Sequence, residues 1–549
     1  MGKPFYNIGS KLERLAKEIP ETPAILVPRK RRCETINFLE LHREANRLAS
    51  GLSRLGISKG QRVLLMVRPG IPFIALTFAL FRIGAVAVLI DPGLGRNAVL
   101  DCIGEVEPEG MIAISIAHAA RMLFPKYFET VRISVTVGPR WFWGGPTLEH
   151  IRKTGHDGFE PAGTFPQEPA AILFTSGSTG PPKGVLYTHE MFSRQAEILQ
   201  TFYGFKKGEV DLPTFPLFAL FSAALGMTSV VPEMDPTQPA KVDPRKIVAA
   251  IRNFGVTSSF GSPALWDTVS RYCIERHIRL PGIRRILMAG APISGSLLKR
   301  FENILDRDGE IFTPYGATEA LPAASIDWTE ILRETWEKTR QGRGVCVGRA
   351  VPGIRIKIIP ISDTVIPAWD DSLELPPGSI GEIVARGPWV TREYFKRRSA
   401  TELAIIRDGK AFWRRMGDVG YLDEQGRLWF CGRKSHRVIC KDRTLYTIPC
   451  EGVFNRHPNV KRSALVGVGT PGAQRPAIVI EPALGRMPRS SQERRQFIEE
   501  LMALGASSAL TRNIKEVLFH PSFPVDIRHN AKIFREKLAR WAGERLESR

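Results

Sequence analysis

Apolar residues recur along this chain with two periods that alternate. Leu41, Ala45, Leu48, Leu52 and Leu55 fall four and three apart and close on Gly56, which predicts an amphipathic helix with a C-terminal stop. The apolar run 62–67 predicts a buried strand, 73–82 a helix and 85–90 a second strand. The same rhythm returns at "KIVAAIRNFGVTSSFGSP" (helix, glycine, strand, turn) and at "IRRILMAGAPIS" (strand, then a Gly/Pro loop). Apolar strands alternating with helices predict mostly parallel sheets covered on both faces, an α/β fold. From about Ile354 the texture changes to short β-branched and aromatic runs punctuated by Gly and Asp turns, which predicts a small antiparallel unit. After "GRKSH" the chain restarts with its own strands and helices: "SALVGVG", a helix through 493–504, "IKEVLFH", and a last helix from Ile533. The expected division is a large N-terminal unit at 1–431, a short hinge at 432–436, and a small mobile α+β unit at 437–549.

Composition narrows the class. The chain has 549 residues, too many for one compact core, with an ordinary globular balance of 43% apolar and 24% charged residues. Seven scattered cysteines with no CxxC, and ten scattered histidines, suggest neither a disulfide framework nor a zinc site, so a reducing cytoplasm is the expected compartment. The start lacks a signal-peptide pattern. The most apolar stretch, 72–90, is interrupted by Arg82 and Gly84 and reads as a buried helix followed by a strand, not a membrane span. The net charge of +21 is unusual, and residues 437–549 carry 20 Lys/Arg against 11 Asp/Glu. No aromatic-interleaved basic stripe or zinc-finger spacing accompanies it, so nucleic acid is not expected. A solvated basic surface is the first reading, and attraction to an anionic membrane face or an acidic partner the second.

Four motifs carry candidate chemistry. "TSGSTGPPKG" (175–184) has the glycines, hydroxyls and single lysine of a phosphate loop, whose backbone N–H groups and hydroxyls hold anions. Its spacing fails the Walker pattern, and a strand-like "VLYT" follows instead of a helix. "TPYGATEA" (313–320) offers Tyr315 to stack a base and Thr318 with Glu319 to hold magnesium, which needs few carboxylates beside phosphate oxygens. In "GDVGYLDEQGRLWFCGR" (417–433), Asp418 suits ribose hydroxyls with Arg433 behind it. In "HNAKIFREKL" (529–538), Lys532 precedes an amphipathic helix. Each alone has a plainer reading: a surface hairpin, a packed tyrosine, a hairpin salt bridge, a solvated lysine. The run "PTFPLFALFSAALG" (213–226) offers Phe215, Phe218 and Phe221 to an apolar acyl chain, or simply to the core.

Taken in this order, the motifs resemble those of the adenylate-forming superfamily of acyl-CoA synthetases, adenylation domains and luciferases. The resemblance runs from the helix near Glu40 to Lys532. It implies ATP and Mg²⁺, with Thr175, Ser176, Gly177, Ser178, Thr179, Gly180 and Lys183 on the β- and γ-phosphates. It implies Gly290, Ala291 and Pro292 lining the adenine, and Tyr315, beside Gly316, stacked on it. Thr318 and Glu319 would meet the α-phosphate and the metal, and Asp418 and Arg433 the ribose. Lys532 would bridge the carboxylate and the α-phosphate. The implied reaction joins a carboxylic acid to AMP with release of pyrophosphate, and a second nucleophile then takes the acyl group. Departures narrow this further: Ser435 stands at the hinge, Asp442 where thioester-forming relatives usually place glycine, and Ala531 before the lysine. With "TPYGATEALP" and "FPVDIRHNAKIFREKLARWA", they are most similar to the branch that closes long-chain 2-alkyl-3-hydroxy acids to β-lactones in olefin biosynthesis. That step needs no CoA, and partner enzymes of the same pathway are implied. The rivals are a long-chain fatty acid–CoA ligase or fatty acyl-AMP ligase, and a non-catalytic basic scaffold on a degenerate nucleotide fold.

Overall fold

The computed structural model describes residues 6–29, 32–175, 181–525 and 533–547, and for Thr175 the backbone alone. It is a mixed α/β protein built on two large, mostly parallel sheets. One has six strands in the order Ile133–Val137, Gly110–Ile114, Arg62–Met66, Val86–Ile90, Pro169–Thr175 and Lys183–Thr188, with only the last pair antiparallel. The other has seven: Glu310–Phe312, Arg285–Met288, Ser258–Gly261, Val210–Pro213, Thr228–Val230, Pro23–Pro28 and Cys33–Asn37, again with only the last pair antiparallel. The helices between them follow from the sequence. Phe38–Arg54 starts at a capping box, in which Asn37 Oδ1 accepts the Glu40 N–H and Glu40 accepts the Asn37 N–H. Ile71–Ile83 is apolar all round because it lies in the core shared by both sheets, buried from Phe73 to Ile83. Arg82 is buried there too, its Nη2 donating to the Phe159 carbonyl at 2.8 Å. Among the described residues no helix is long and apolar enough to cross a membrane.

The antiparallel texture beyond Ile354 forms a third sheet, in which Gly381–Arg386, Ala411–Leu422 and Leu428–Arg433 are successive neighbours. Past a short helical turn at Lys434–His436, the strands Val460–Val468, Arg475–Pro482 and Glu516–Phe519 make a fourth sheet. Period-two alternation sorts their side chains: Leu465, Ile478 and Ile480 pack with Phe497 and Leu501 of helix Ser491–Ala506. Ala464, Val466 and Val479 pack with Leu538 and Ala542 of helix Arg535–Glu547. That last helix begins two residues later than its periodicity predicts, because Ile533 forms a β-bridge with Val525. The seven cysteines are all free thiols, and no cluster of metal-binding side chains occurs among the described residues.

A buried ion cluster ties the third sheet to the turn that leaves it. Arg415 donates to Glu382 through Nε (3.1 Å) and Nη2 (2.7 Å), and Lys434 Nζ lies 3.0 Å from the same carboxylate. The Glu382 and Arg415 side chains are 1% and 2% exposed, so neither can fall back on water if its partner is lost. Glu382→Ala is expected to lower stability by about 3–5 kcal/mol, the cost of stranding a buried cation. Replacing both Glu382 and Arg415 by apolar residues of similar volume should recover only part of that loss, because Lys434 keeps its charge and the Thr364 and Leu403 carbonyls lose the donors that Arg415 gives them. Denaturant midpoints of the two variants check this, and an unchanged midpoint for Glu382→Ala would mean that Arg415 is hydrated after all.

Candidate active site

In parallel sheets the loops after successive strands collect at the carboxyl edge, where open α/β folds bind ligands. The neighbouring strands Val210–Pro213, Ser258–Gly261, Arg285–Met288 and Glu310–Phe312 therefore bring together the segments that follow them. These carry Phe215 and Phe218, then Gly290–Ala291–Pro292, then the stretch from Thr313 to Glu319. Gly290 has φ +101°, a left-handed backbone that favours glycine, and Ala291 is half-buried while Pro292 is exposed.

The residues after Thr313 form a hairpin, Tyr315–Ala317 against Ala320–Ser325. Gly316 is required by the tightness of that hairpin, since a Cβ there would lie 2.2 Å from the Ala320 carbonyl oxygen. The hairpin aims Tyr315 and Glu319 at the third sheet. Tyr315 donates its phenol proton to Asp418 Oδ2 at 2.6 Å, and Arg433 Nη1 sits 2.9 Å from Asp418 Oδ1. Asp418 and Arg433 are directly opposite in the pairing of Ala411–Leu422 with Leu428–Arg433, so the register itself sets their contact. Burial pushes the Asp418 carboxyl up, against Arg433 and the Tyr315 hydrogen bond; burial also pushes the Tyr315 phenol well up, with the Asp418 charge adding to it. The neighbouring Asp418 charge holds Arg433 firmly protonated.

Glu319 lies in a second cluster that sequence reasoning only half anticipates. Tyr394 donates to its Oε1 at 2.7 Å, and Arg414 Nη2 approaches the same oxygen at 3.9 Å. Burial would push the Glu319 carboxyl up, but Arg414 and the Tyr394 hydrogen bond outweigh it and hold the group below the usual carboxylate range. Arg414 is buried, with Nη1 donating to the Thr391 carbonyl at 2.7 Å and its guanidinium 4.5 Å from the Tyr394 ring centroid. Its Nη2 makes no hydrogen bond among the described residues. The ammonium of Lys183, an exposed residue, lies 4.8 Å from the same ring centroid, which brings the lysine of the 175–184 motif to the Glu319 cluster. Thr318 is half-buried, and its carbonyl accepts the Tyr187 phenol from the six-stranded sheet. Tyr394 and Arg414 carry no motif of their own; the doubled arginine shortly before "GD" is the one trace Arg414 leaves in the sequence. Residues 176–180, the Thr175 side chain and Lys532 lie outside the described residues.

The aromatic residues singled out for an acyl chain separate. Phe218 and Phe221 line an apolar cavity with Leu199, Phe205, Leu225 and Phe260, whereas Phe215 stands beside it, 6.1 Å from Phe218 between ring centroids. Phe218 stacks on Phe260 at 3.4 Å and 9°. Asp211 also lines this cavity, accepting hydrogen bonds from Ser222 (2.6 Å) and Ser258 (3.0 Å); burial pushes its carboxyl up to about 6 against them. Neither Asp211 nor Phe260 falls in a motif, and their roles emerge only from strand adjacency.

Residues 12–395 match the family model described as AMP-binding enzyme. The chain is 45% identical over 551 residues to an olefin beta-lactone synthetase of Xanthomonas campestris pv. campestris, covering 98% of both chains. It is 44% identical over 557 residues to an olefin beta-lactone synthetase of Stenotrophomonas maltophilia, covering 99% of both. Among solved structures, an anthranilate CoA ligase in complex with anthranoyl-AMP shares the fold with a TM-score of 0.79 at 18% identity, over 100% of this chain and 99% of that one. By a family match across most of its length and by full-length relatives at this identity, the chain belongs to the AMP-binding enzymes, the adenylate-forming superfamily.

Proposed function

We propose that this protein activates a long-chain 2-alkyl-3-hydroxy acid with ATP and closes the acyl adenylate to a β-lactone, releasing pyrophosphate and then AMP. The observation that carries this reading is the full-length likeness to two synthetases of that name. The two clusters around Asp418 and Glu319 support the first half-reaction. Asp418 would accept the ribose hydroxyls while Arg433 fixes its carboxylate. Lys183 and the loop before it would take the β- and γ-phosphates. Glu319 fits magnesium: it is a carboxylate kept ionised, and its two neighbours converge on one oxygen, leaving Oε2 for a hard cation. The metal, when bound, would neutralise phosphate charge.

The substrate carboxylate would attack the α-phosphorus and pyrophosphate would leave, with Lys532 carried in on the C-terminal unit to meet the developing charge. In the second half-reaction the 3-hydroxyl oxygen would bond to the acyl carbon, the bond to AMP would break, and the hydroxyl proton would pass to a base. The tethered hydroxyl replaces a second substrate through effective molarity. Asp442 supports a step without CoA. It is exposed on the turn between Val438–Ile439 and Thr444–Leu445, paired with Arg443 at 2.8 Å, and would crowd a pantetheine arm where relatives place glycine.

Three outcomes test this. Enzyme, ATP, magnesium and a long-chain 2-alkyl-3-hydroxy acid should give a β-lactone and AMP by NMR, unchanged by CoA. An acyl-CoA thioester formed only with CoA would make the protein a CoA ligase, and no pyrophosphate release at all would leave a scaffold. Lys532→Ala should slow adenylate formation by roughly 10²–10³ with ATP binding nearly intact; parent-rate pyrophosphate release would refute its role. Arg414→Met removes the charge that offsets the burial of Glu319, so the Glu319 carboxyl rises. Activity that needs Glu319 ionised should then be lost on acidification at a higher pH than in the parent, with Arg414→Lys intermediate. Superimposable pH–rate profiles would show that Arg414 does not act through Glu319.

A further inference from the structure

Five of the fourteen large apolar side chains exposed among the described residues fall within residues 116–142: Ile116, Met122, Leu123, Trp141 and Phe142. They sit on two segments tied side by side, the helix Ser115–Leu123 and the loop after strand Ile133–Val137. Ser115 Oγ donates to the Pro139 carbonyl across them. Ile116 and Leu123 are seven residues apart, hence on one helix face, and are 68% and 74% exposed.

The loop is built to hold its tip outward. Trp143 is buried, donates from Nε1 to Thr136 Oγ1 at 2.9 Å, and stacks on His118 at 5.4 Å between ring centroids. The Thr136 N–H donates to the Pro146 carbonyl at 3.0 Å, and Arg140 Nη1 to the Gly145 carbonyl at 2.7 Å. Trp141 and Phe142 are thus presented on a pinned support, with Phe142 79% exposed. Each touches Trp143, at 5.3 and 5.4 Å between ring centroids, and neither belongs to the candidate active site.

We propose that this face docks the protein on the surface of an anionic lipid bilayer. An apolar helix face beside a Trp–Phe tip matches what enters the headgroup boundary of a membrane, where Trp is enriched and short amphipathic elements lie in the plane. Charge agrees: exposed Arg140 adjoins the tip, exposed Lys126 and Arg132 follow the helix, and residues 115–145 hold Glu129 as their one acidic residue. A chain of net charge +21 is drawn to such a surface at long range. The choice of a bilayer over a protein partner rests on the proposed substrate, a two-chain amphiphile that resides in lipid rather than in water.

The test is co-sedimentation of the full chain, at low ionic strength and without ATP or acid, with vesicles of phosphatidylcholine alone or mixed with phosphatidylglycerol. The parent should sediment with the mixed vesicles, and added salt should weaken this. The combined variant Trp141→Ser, Phe142→Ser, Leu123→Ser should bind at least tenfold more weakly. Its circular dichroism and its pyrophosphate release with a soluble short-chain acid should be unchanged. Leu484→Ser, on another exposed apolar residue, controls for general loss of greasiness and should bind as the parent does. Equal sedimentation of parent and combined variant, or none by the parent, overturns the proposal. So does a parent dimer that the variant converts to monomer with no vesicle binding by either, which would make the face an interface between copies. Sedimentation needs no turnover, so its failure is distinct from failure of the lactone reading.

Discussion

The pairing register of Ala411–Leu422 with Leu428–Arg433 is the constraint on which the site depends. It fixes Asp418 opposite Arg433, and the even spacing of Arg414 and Asp418 turns both toward the hairpin that carries Tyr315 and Glu319, across an irregularity between Arg415 and Val419 in which Gly417 takes φ +69°. Arg415, between them in sequence, faces the other way and pairs with Glu382. Adjacent arginines on one strand thus serve opposite ends: one beside a carboxylate of the site, one locked in a structural ion cluster. A one-residue slip would put one arginine in the other's place and leave the remaining carboxylate without its cation.

The large unit contributes by a different route. Its two sheets supply carboxyl-edge loops, and the mostly apolar helix Ile71–Ile83 packs in the core between them. The apolar cavity at Phe218 and Phe260 lies on strands and helices that also line this edge. Tyr187 ties the six-stranded sheet to the hairpin that carries Tyr315 and Glu319, its phenol on the Thr318 carbonyl.

Much of this was legible in the sequence because it is periodic or punctuated. The alternation of apolar strands and helices, the glycine stops at Gly56 and Gly255, and the shift to short strands after Ile354 all have local causes. The motif residues Tyr315, Glu319, Asp418 and Arg433 could be singled out for the same reason. Tyr394, Arg414, Asp211 and Phe260 could not, since their significance lies in contacts between strands far apart in the chain. Ile533 illustrates the same limit: its helical spacing is genuine, but a bridge to Val525 takes its backbone.

The hydrogen bond between Tyr315 and Asp418 has a consequence for the carboxylate it holds. Only Oδ2 is taken, by the phenol; Arg433 lies 2.9 Å from Oδ1 as an ion-pair contact, and Oδ1 accepts no hydrogen bond among the described residues. Each carboxylate oxygen carries two lone pairs, so both keep room for a further donor without either internal contact being given up. A buried acceptor without a donor costs about 1–3 kcal/mol, which a donor reaching Oδ1 would return. The phenol and the guanidinium thus orient the group and balance its charge, and leave its capacity to accept open.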